Sequence, residues 1–147
     1  MTDRGVSTVV GYVIALAIAA TLVGGLLIAG GDFVEDTREE VVRQELAVIG
    51  QRLAANVEAA DRLVVAGEGP PAVAVNETFP EQATGTTYRA ELTPEDGGTL
   101  YLNATDPSVS VAIEVDNTTA LRRSSAGGGD VSVVYDATAD ELVIRNG

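Results

Sequence analysis

The chain has 147 residues, which is enough for one small domain and one membrane anchor. It contains neither cysteine nor histidine, which excludes disulfides, zinc–thiolate sites and catalysis by Ser-His or Cys-His pairs. Its 22 acidic residues outnumber nine basic residues, all of them arginine, and the resulting net charge of −13 excludes non-specific binding to nucleic acid. Because the charges are interleaved with Val, Ile and Leu, the composition favours a folded acidic surface over a disordered acidic tail.

The N-terminal part of the chain consists of a short polar leader, residues 1–5, and an uncharged stretch, residues 6–31. A helix of this length would extend about 39 Å, more than the ~30 Å hydrocarbon core of a bilayer. Since a backbone inside a bilayer must satisfy its own hydrogen bonds, residues 6–31 are predicted to form a transmembrane helix. The glycines within 24–31 predict either a kink or melted turn, or close helix packing in lipid.

Residues 32–66 continue the helix in an amphipathic form. Charged side chains, including Glu45, Arg52 and Asp61, are predicted to cover the faces opposite the apolar one. The apolar face recurs with a spacing of three or four residues at Val42, Leu46, Ile49, Leu53, Val57, Ala60 and Val64. No proline interrupts residues 6–69, so one long helix is predicted, first apolar and then amphipathic.

The Gly-Glu-Gly-Pro-Pro linker at residues 67–71 ends this helix, and the apolar period then changes from 3.6 to 2. Residues 72–147 are therefore predicted to form a small, mostly antiparallel β-sheet head that packs on the amphipathic helix, giving an α+β fold. The predicted turns are 94–98 and 136–140. The predicted strands are 87–92, 99–104, 109–115, 131–135 and 142–144, with a short strand at 72–75.

Several motifs in the head are interpreted as structural, and no catalytic, cofactor-binding or metal-binding residue is predicted. The run Gly127–Gly129 lacks the Gly-Lys-Ser/Thr of a phosphate loop and is interpreted as a flexible loop. The pair Arg122-Arg123 is interpreted as a solvated turn. Neighbouring carboxylates are interpreted as solvated, and Tyr88, Tyr101 and Tyr135 as packing the sheet. The sequence therefore predicts a protein that is not an enzyme and needs no cofactor.

Three N-glycosylation sequons lie in the head, at Asn76, Asn103 and Asn117. The chain has only five Asn and 20 Ser or Thr residues, so three sequons exceed the number expected by chance. Each lies near the end of a predicted strand, where a glycan could project. The alternative is that Asn and Thr occur there as turn and strand-edge residues. The sequons favour a head outside the cell.

The leader ends in Arg4-Gly5, directly before Val6 and the apolar run. A conventional secretory signal has an apolar core of about 7–15 residues and a cleavage site at its far end, whereas this run is nearly twice as long. The arrangement resembles the class III signal of archaeal type IV pilin-like proteins. The run Ser-Thr-Val-Val-Gly at 7–11 is similar to the Ser-Pro-Val-Ile-Gly opening of haloarchaeal pilins, with Thr8 in place of proline.

The resemblance implies that a prepilin peptidase cuts between Gly5 and Val6, and that other pilin-like subunits pack against the retained apolar helix. It implies a structural subunit of a surface filament or of its assembly machinery, with adhesion as one outcome. In bacterial pilins glutamate occupies the fifth mature position, which is Val10 here. The expected location is the cell membrane, crossed once, with the N-terminus cytoplasmic and the C-terminal domain extracellular. The alternative is an uncleaved signal-anchor, held by Arg4, that presents a monomeric binding domain at the cell surface.

Overall fold

A computed structural model describes residues 3–147, with side chains described from Ser7 onward. The first two leader residues, Met1 and Thr2, lie outside the described residues. The chain divides into two units, one ending at Arg38 and the other comprising Glu39–Gly147. The fold is α+β, with one long N-terminal helix and a mostly antiparallel sheet domain, which confirms the predicted fold class.

The helix α1 runs from Asp3 to Ala66. The backbone of residues 24–31 is helical, so no melted turn interrupts it at the glycines. The helix ends in a Schellman motif, in which the amide of Gly69 donates to the carbonyl of Val64 at 3.1 Å and that of Glu68 donates to Val65 at 3.3 Å. Glu68 adopts a left-handed conformation with φ of 52°. Pro70 follows, as expected for a residue that cannot continue a helix.

The head contains nine strands and one short 3₁₀ turn, Glu95–Gly97. One group of strands has the order β1-β8-β9-β6 and the other β2-β3-β4-β5, with β7 also pairing with β3. All described pairings are antiparallel except that of β6 with β9. The strands are β1 (Ala74–Phe79), β2 (Gln82–Ala83), β3 (Thr86–Thr93), β4 (Thr99–Thr105), β5 (Ser108–Glu114), β6 (Ala120–Leu121), β7 (Ser124–Gly127), β8 (Gly129–Asp136) and β9 (Glu141–Asn146).

The five main predicted strands and both predicted turns are present, but two predictions about the head were wrong. The short strand predicted at 72–75 begins instead at Ala74 and extends to Phe79. The supposed flexible loop Gly127–Gly129 contains the end of β7 and the start of β8, with Gly128 between them. A Cβ on Gly128 would lie 2.4 Å from the Pro80 carbonyl oxygen, so glycine is required here by close backbone contact rather than by flexibility.

The amphipathic half of α1 packs on one face of the sheet, as predicted. All seven residues of the predicted apolar face are no more than 4% exposed, and they belong to one core cluster with the sheet residues Leu92, Leu100 and Leu102. The helix lies close to the sheet at Gly50, where a Cβ would come within 2.7 Å of Leu102 Cδ1. This packing covers the apolar side of the strands, which a sheet of this size needs for stability.

Polar contacts also connect the helix to the head. Arg52 forms an ion pair with Glu77 at 3.3 Å, and Glu45 accepts a hydrogen bond from the hydroxyl of Thr84. Asp61, predicted to lie on a solvated face, is only 6% exposed, which corrects that prediction. Its carboxylate accepts hydrogen bonds from the backbone amides of Thr118 and Thr119, the shortest at 2.7 Å. The segment between β5 and β6 is therefore attached to the helix by a buried carboxylate.

Candidate functional site

The first described part of α1 presents bulky apolar side chains without a protein core to cover them. Between Val9 and Ile28 the large hydrophobic residues are 50–73% exposed. The exposed set continues past the predicted boundary at residue 31, because Phe33 and Val34 are 71% and 65% exposed. The apolar surface therefore continues past Asp32. The sequence prediction missed Phe33 and Val34 because it placed the end of the apolar helix at this acidic residue.

This apolar segment, residues 7–34, is the candidate functional surface of the first unit. The helix is long and apolar enough to cross a membrane by length and composition, with a mean hydropathy of 2.5 in its most apolar window. Removing one large apolar side chain from water is favourable by about 1.5–3 kcal/mol of free energy. Removing the whole segment is therefore favourable by on the order of 20 kcal/mol or more. That exceeds the roughly 5–15 kcal/mol by which most domains are stable. The segment is compatible with a membrane anchor.

Within the apolar segment, the polar side chain of Thr21 forms a hydrogen bond inside the helix. The hydroxyl of Thr21 donates to the carbonyl oxygen of Ala17 at 2.8 Å. In hydrocarbon an unpaired hydroxyl would cost several kcal/mol, and this bond removes that cost. The predicted cleavage site, Arg4-Gly5-Val6, has a backbone that belongs to α1. The side chains of these three residues are outside the part of the chain that the structure describes.

Two of the three sequon asparagines, Asn76 and Asn103, are exposed on strands of two different sheets. Glu77 reaches Arg52 on the helix, so its neighbour Asn76 faces the opposite side, since successive strand residues alternate. Asn103 likewise follows the helix-facing Leu102 and is exposed. Its side-chain oxygen accepts a hydrogen bond from the Ser110 hydroxyl at 2.7 Å. Asn76 lies inside β1 rather than after a strand.

The third sequon has a different environment. The side-chain amide nitrogen of Asn117 donates to the carbonyl oxygen of Thr119 at 2.8 Å. Its Oδ1 atom is buried without a hydrogen-bond partner, and a Cβ on Gly98 would lie only 2.4 Å from it. Thr119, the hydroxyl residue of this sequon, is 8% exposed. The amide nitrogen that would carry a glycan is therefore already bonded, in a tightly packed position.

The other motifs that the sequence singled out have structural surroundings. Arg122 forms an ion pair with Asp136 at 3.1 Å, and Arg123 contacts the carboxylates of Glu91 and Glu95. Tyr88 and Tyr135 are each 7% exposed, as their predicted packing role requires, and Tyr101 is half-buried. Burial, together with the nearby carboxylate of Glu45, raises the pKa of Tyr88 to about 12.

Among the described residues no group of three or more Asp or Glu side chains is placed to hold a metal ion. Neither a search of curated proteins nor a search of solved structures found a match to the chain. One family model matches residues 1–146, which is nearly the whole sequence. Taken with the apolar helix and its sheet domain, this match shows that the chain belongs to a family of unknown function, DUF7266.

Proposed function

We propose that this protein is a type IV pilin-like subunit, held in the membrane by its apolar segment and assembled through that segment into a surface filament or its assembly machinery. The observation that carries the proposal is the exposure of the apolar segment, with bulky side chains 50% exposed or more from Val9 to Ile28. A membrane or a bundle of identical helices buries such a surface. In either location the driving force is about 25 cal/mol per Å² of apolar area removed from water.

Retention of the segment is supported by the continuity of the helix. Helical backbone extends from Asp3 to Ala66, without an irregular stretch where the apolar run ends. The C-terminal half of the same helix supplies eight core residues to the head. The apolar segment and the head are thus joined through an element that the head needs, and this arrangement favours processing ahead of the helix over processing behind it.

The N-terminus of the natural protein is the sharpest test of this function. We expect the mature chain to begin at Val6, because a prepilin peptidase would cut after Arg4-Gly5. Intact mass and N-terminal sequencing of protein purified from its own membranes measure this directly. A chain that keeps Met1–Gly5 would instead support the signal-anchored surface domain. A product that begins near Asp32 would contradict both.

The same purified protein provides a test of sidedness. If the head lies outside the cell, we expect N-linked glycans at Asn76 and Asn103 and none at Asn117. The first two side chains are exposed, whereas the Asn117 amide is bonded to Thr119 in a packed site. Peptide mass spectrometry over the three sequons measures occupancy, and Asn117 is the internal control. Modification of Asn117 with both other sites empty would contradict this assignment.

A further inference from the structure

The strand β5 (Ser108–Glu114) forms an open edge of the sheet. Among the described residues it pairs only with β4, through a continuous register from Thr99↔Glu114 to Thr105↔Ser108. An edge strand presents a row of backbone donors and acceptors to any other strand. The side chains of Ser108, Ser110, Ala112 and Glu114 on its outer side are all exposed.

This edge lacks the features that usually prevent strand addition. Folded proteins protect an edge with proline, with charged side chains or with a bulge. β5 has seven residues, contains no proline and no bulge in its pairing with β4, and carries a single charge, at Glu114. Pro107 lies directly before β5, outside the seven residues that pair with β4.

The helix-facing side of β5 is also incompletely covered. Leu100 and Leu102 on the neighbouring strand are fully buried, whereas their partners Ile113 and Val111 are only partly buried. A strand added beside β5 would cover these two side chains. The edge therefore has both unpaired backbone groups and apolar surface to offer.

The hydrogen-bond alternation of β5 defines how another strand would dock. The amide of Val115 donates to the carbonyl oxygen of Gly98 at 3.0 Å. Because bonded positions alternate along an antiparallel pair, Val111 also directs its backbone groups toward β4. The backbone groups of Ser110 and Ala112 therefore point away from the sheet. A new antiparallel partner would bond to these two residues, with Val111 at a close, non-hydrogen-bonded position.

We propose that β5 pairs with β5 of a second copy of this chain, in an antiparallel register centred on Val111. Each Val111 then faces its counterpart, Val109 faces Ile113, and Ser110 faces Ala112. All three apolar positions on the helix-facing side, Val109, Val111 and Ile113, thus meet apolar partners. The two strands form one continuous sheet through a self-complementary contact, as two-fold symmetry requires.

Charge favours the antiparallel pairing over in-register parallel pairing. In the antiparallel register Glu114 faces the uncharged Ser108, whereas in-register parallel pairing would place Glu114 directly against Glu114, which is destabilising. The chain carries a net charge of −13, so close approach of two copies requires a contact line with almost no charge. β5 has that property. The proposal uses only the head and does not depend on the function proposed for the apolar segment.

Cysteine cross-linking tests both the pairing and its register, since the natural chain has no cysteine. We expect full-length Val111→Cys in detergent to form an intermolecular disulfide on mild oxidation, because opposed residues at such a position have Cβ atoms about 4.5–5.5 Å apart. Ser110→Cys alone should cross-link weakly, since its counterpart lies on a diagonal about 7–8 Å away. A mixture of Ser110→Cys with Ala112→Cys should form the mixed disulfide.

If the copies associate only through their apolar segments, the heads come close but no strand register is fixed, and Val111→Cys and Ser110→Cys should cross-link equally. Equal cross-linking at residues 110 and 111 would therefore overturn the proposal. So would the absence of any Val111→Cys disulfide. As a blocking variant, Ala112→Pro removes an outward amide that β4 does not use, which an edge strand tolerates. Added to Val111→Cys, it should reduce the disulfide at least severalfold while the circular dichroism spectrum stays unchanged. An undiminished disulfide in a folded double variant would also refute the pairing.

Discussion

Replacing both Ile18 and Leu22 with aspartate is expected to release the protein from membranes. These side chains are 57% and 63% exposed, near the middle of the apolar segment. An aspartate at the centre of a transmembrane helix costs about 2.5–3.5 kcal/mol, so the pair costs about 5–7 kcal/mol on the scale of membrane insertion. Fractionation followed by flotation of the membranes measures the bound share, which we expect to fall from nearly all to a minor part.

A matched control is available on the same helix. Val48 and Leu63 lie in the amphipathic half and are 57% and 54% exposed. Changing both to aspartate adds the same charge at residues of the same exposure. This control should stay with the membrane. Equal release of both variants would point to a general effect of acidity, and retention of Ile18→Asp/Leu22→Asp would place the anchor elsewhere.

Replacing Asp61 with alanine is expected to lower the free energy of unfolding of the head by about 2–4 kcal/mol, because it leaves two backbone amides without acceptors. Those amides belong to Thr118 and Thr119. Denaturant titration of the full chain, followed by circular dichroism, measures the loss. Asp61→Asn keeps one side-chain oxygen and should lose less. Asp116→Ala, at an exposed neighbour of the same segment, should change the free energy by less than about 0.5 kcal/mol.

The same carboxylate makes stability depend on pH. Burial alone would raise the pKa of Asp61, but hydrogen bonds from Thr119 and Thr118, with the nearby charge of Arg62, outweigh it and lower the pKa below 3.8. The unfolded chain therefore binds the proton more readily than the folded one. The stabilisation is complete above the unfolded value near 3.8 and is lost as pH falls through the lower folded pKa.

Asp61→Ala should weaken the fall in the free energy of unfolding as the pH is lowered below about 4, measured by denaturant titration at a series of pH values. Some slope should remain, since amides of Thr138 and Ala139 also lower the pKa of Asp136. If the free energy of unfolding of the variant falls with pH as steeply as that of the natural protein, the role assigned to Asp61 is contradicted.

The parts of the fold that the sequence predicts are those with a local periodic signal. The helix period over Val42–Val64 and the alternation over residues 109–115 each depend on neighbouring residues, and both elements are present. The short strands β2 and β6 have only two residues each, too few to show a period. β7 contains Ser-Ser-Ala-Gly, which has low strand propensity, and it forms because β3 lies beside it.

The features of the candidate site also differ in whether a local sequence pattern predicts them. Most of the apolar segment was predicted from composition, because a helix that can cross a bilayer requires about 20 consecutive, mainly apolar residues. The distinction between Asn117 and the other two sequons depends on Gly98 and Thr119, and all three sequons look alike as tripeptides. The buried state of Asp61 depends on amides 57 and 58 residues away. Such contacts leave no pattern within a short stretch of sequence.

The position of β9 has a consequence for how the head is made. Glu141–Asn146 lies between β8 and β6, and Leu142, Val143 and Ile144 are buried there. This inner strand therefore follows both of its neighbours, β8 and β6, in the chain. Until it is in place, β8 lacks a neighbour on one side and the hydrophobic core stays open, so the sheet can close only after residues 141–146 have been made.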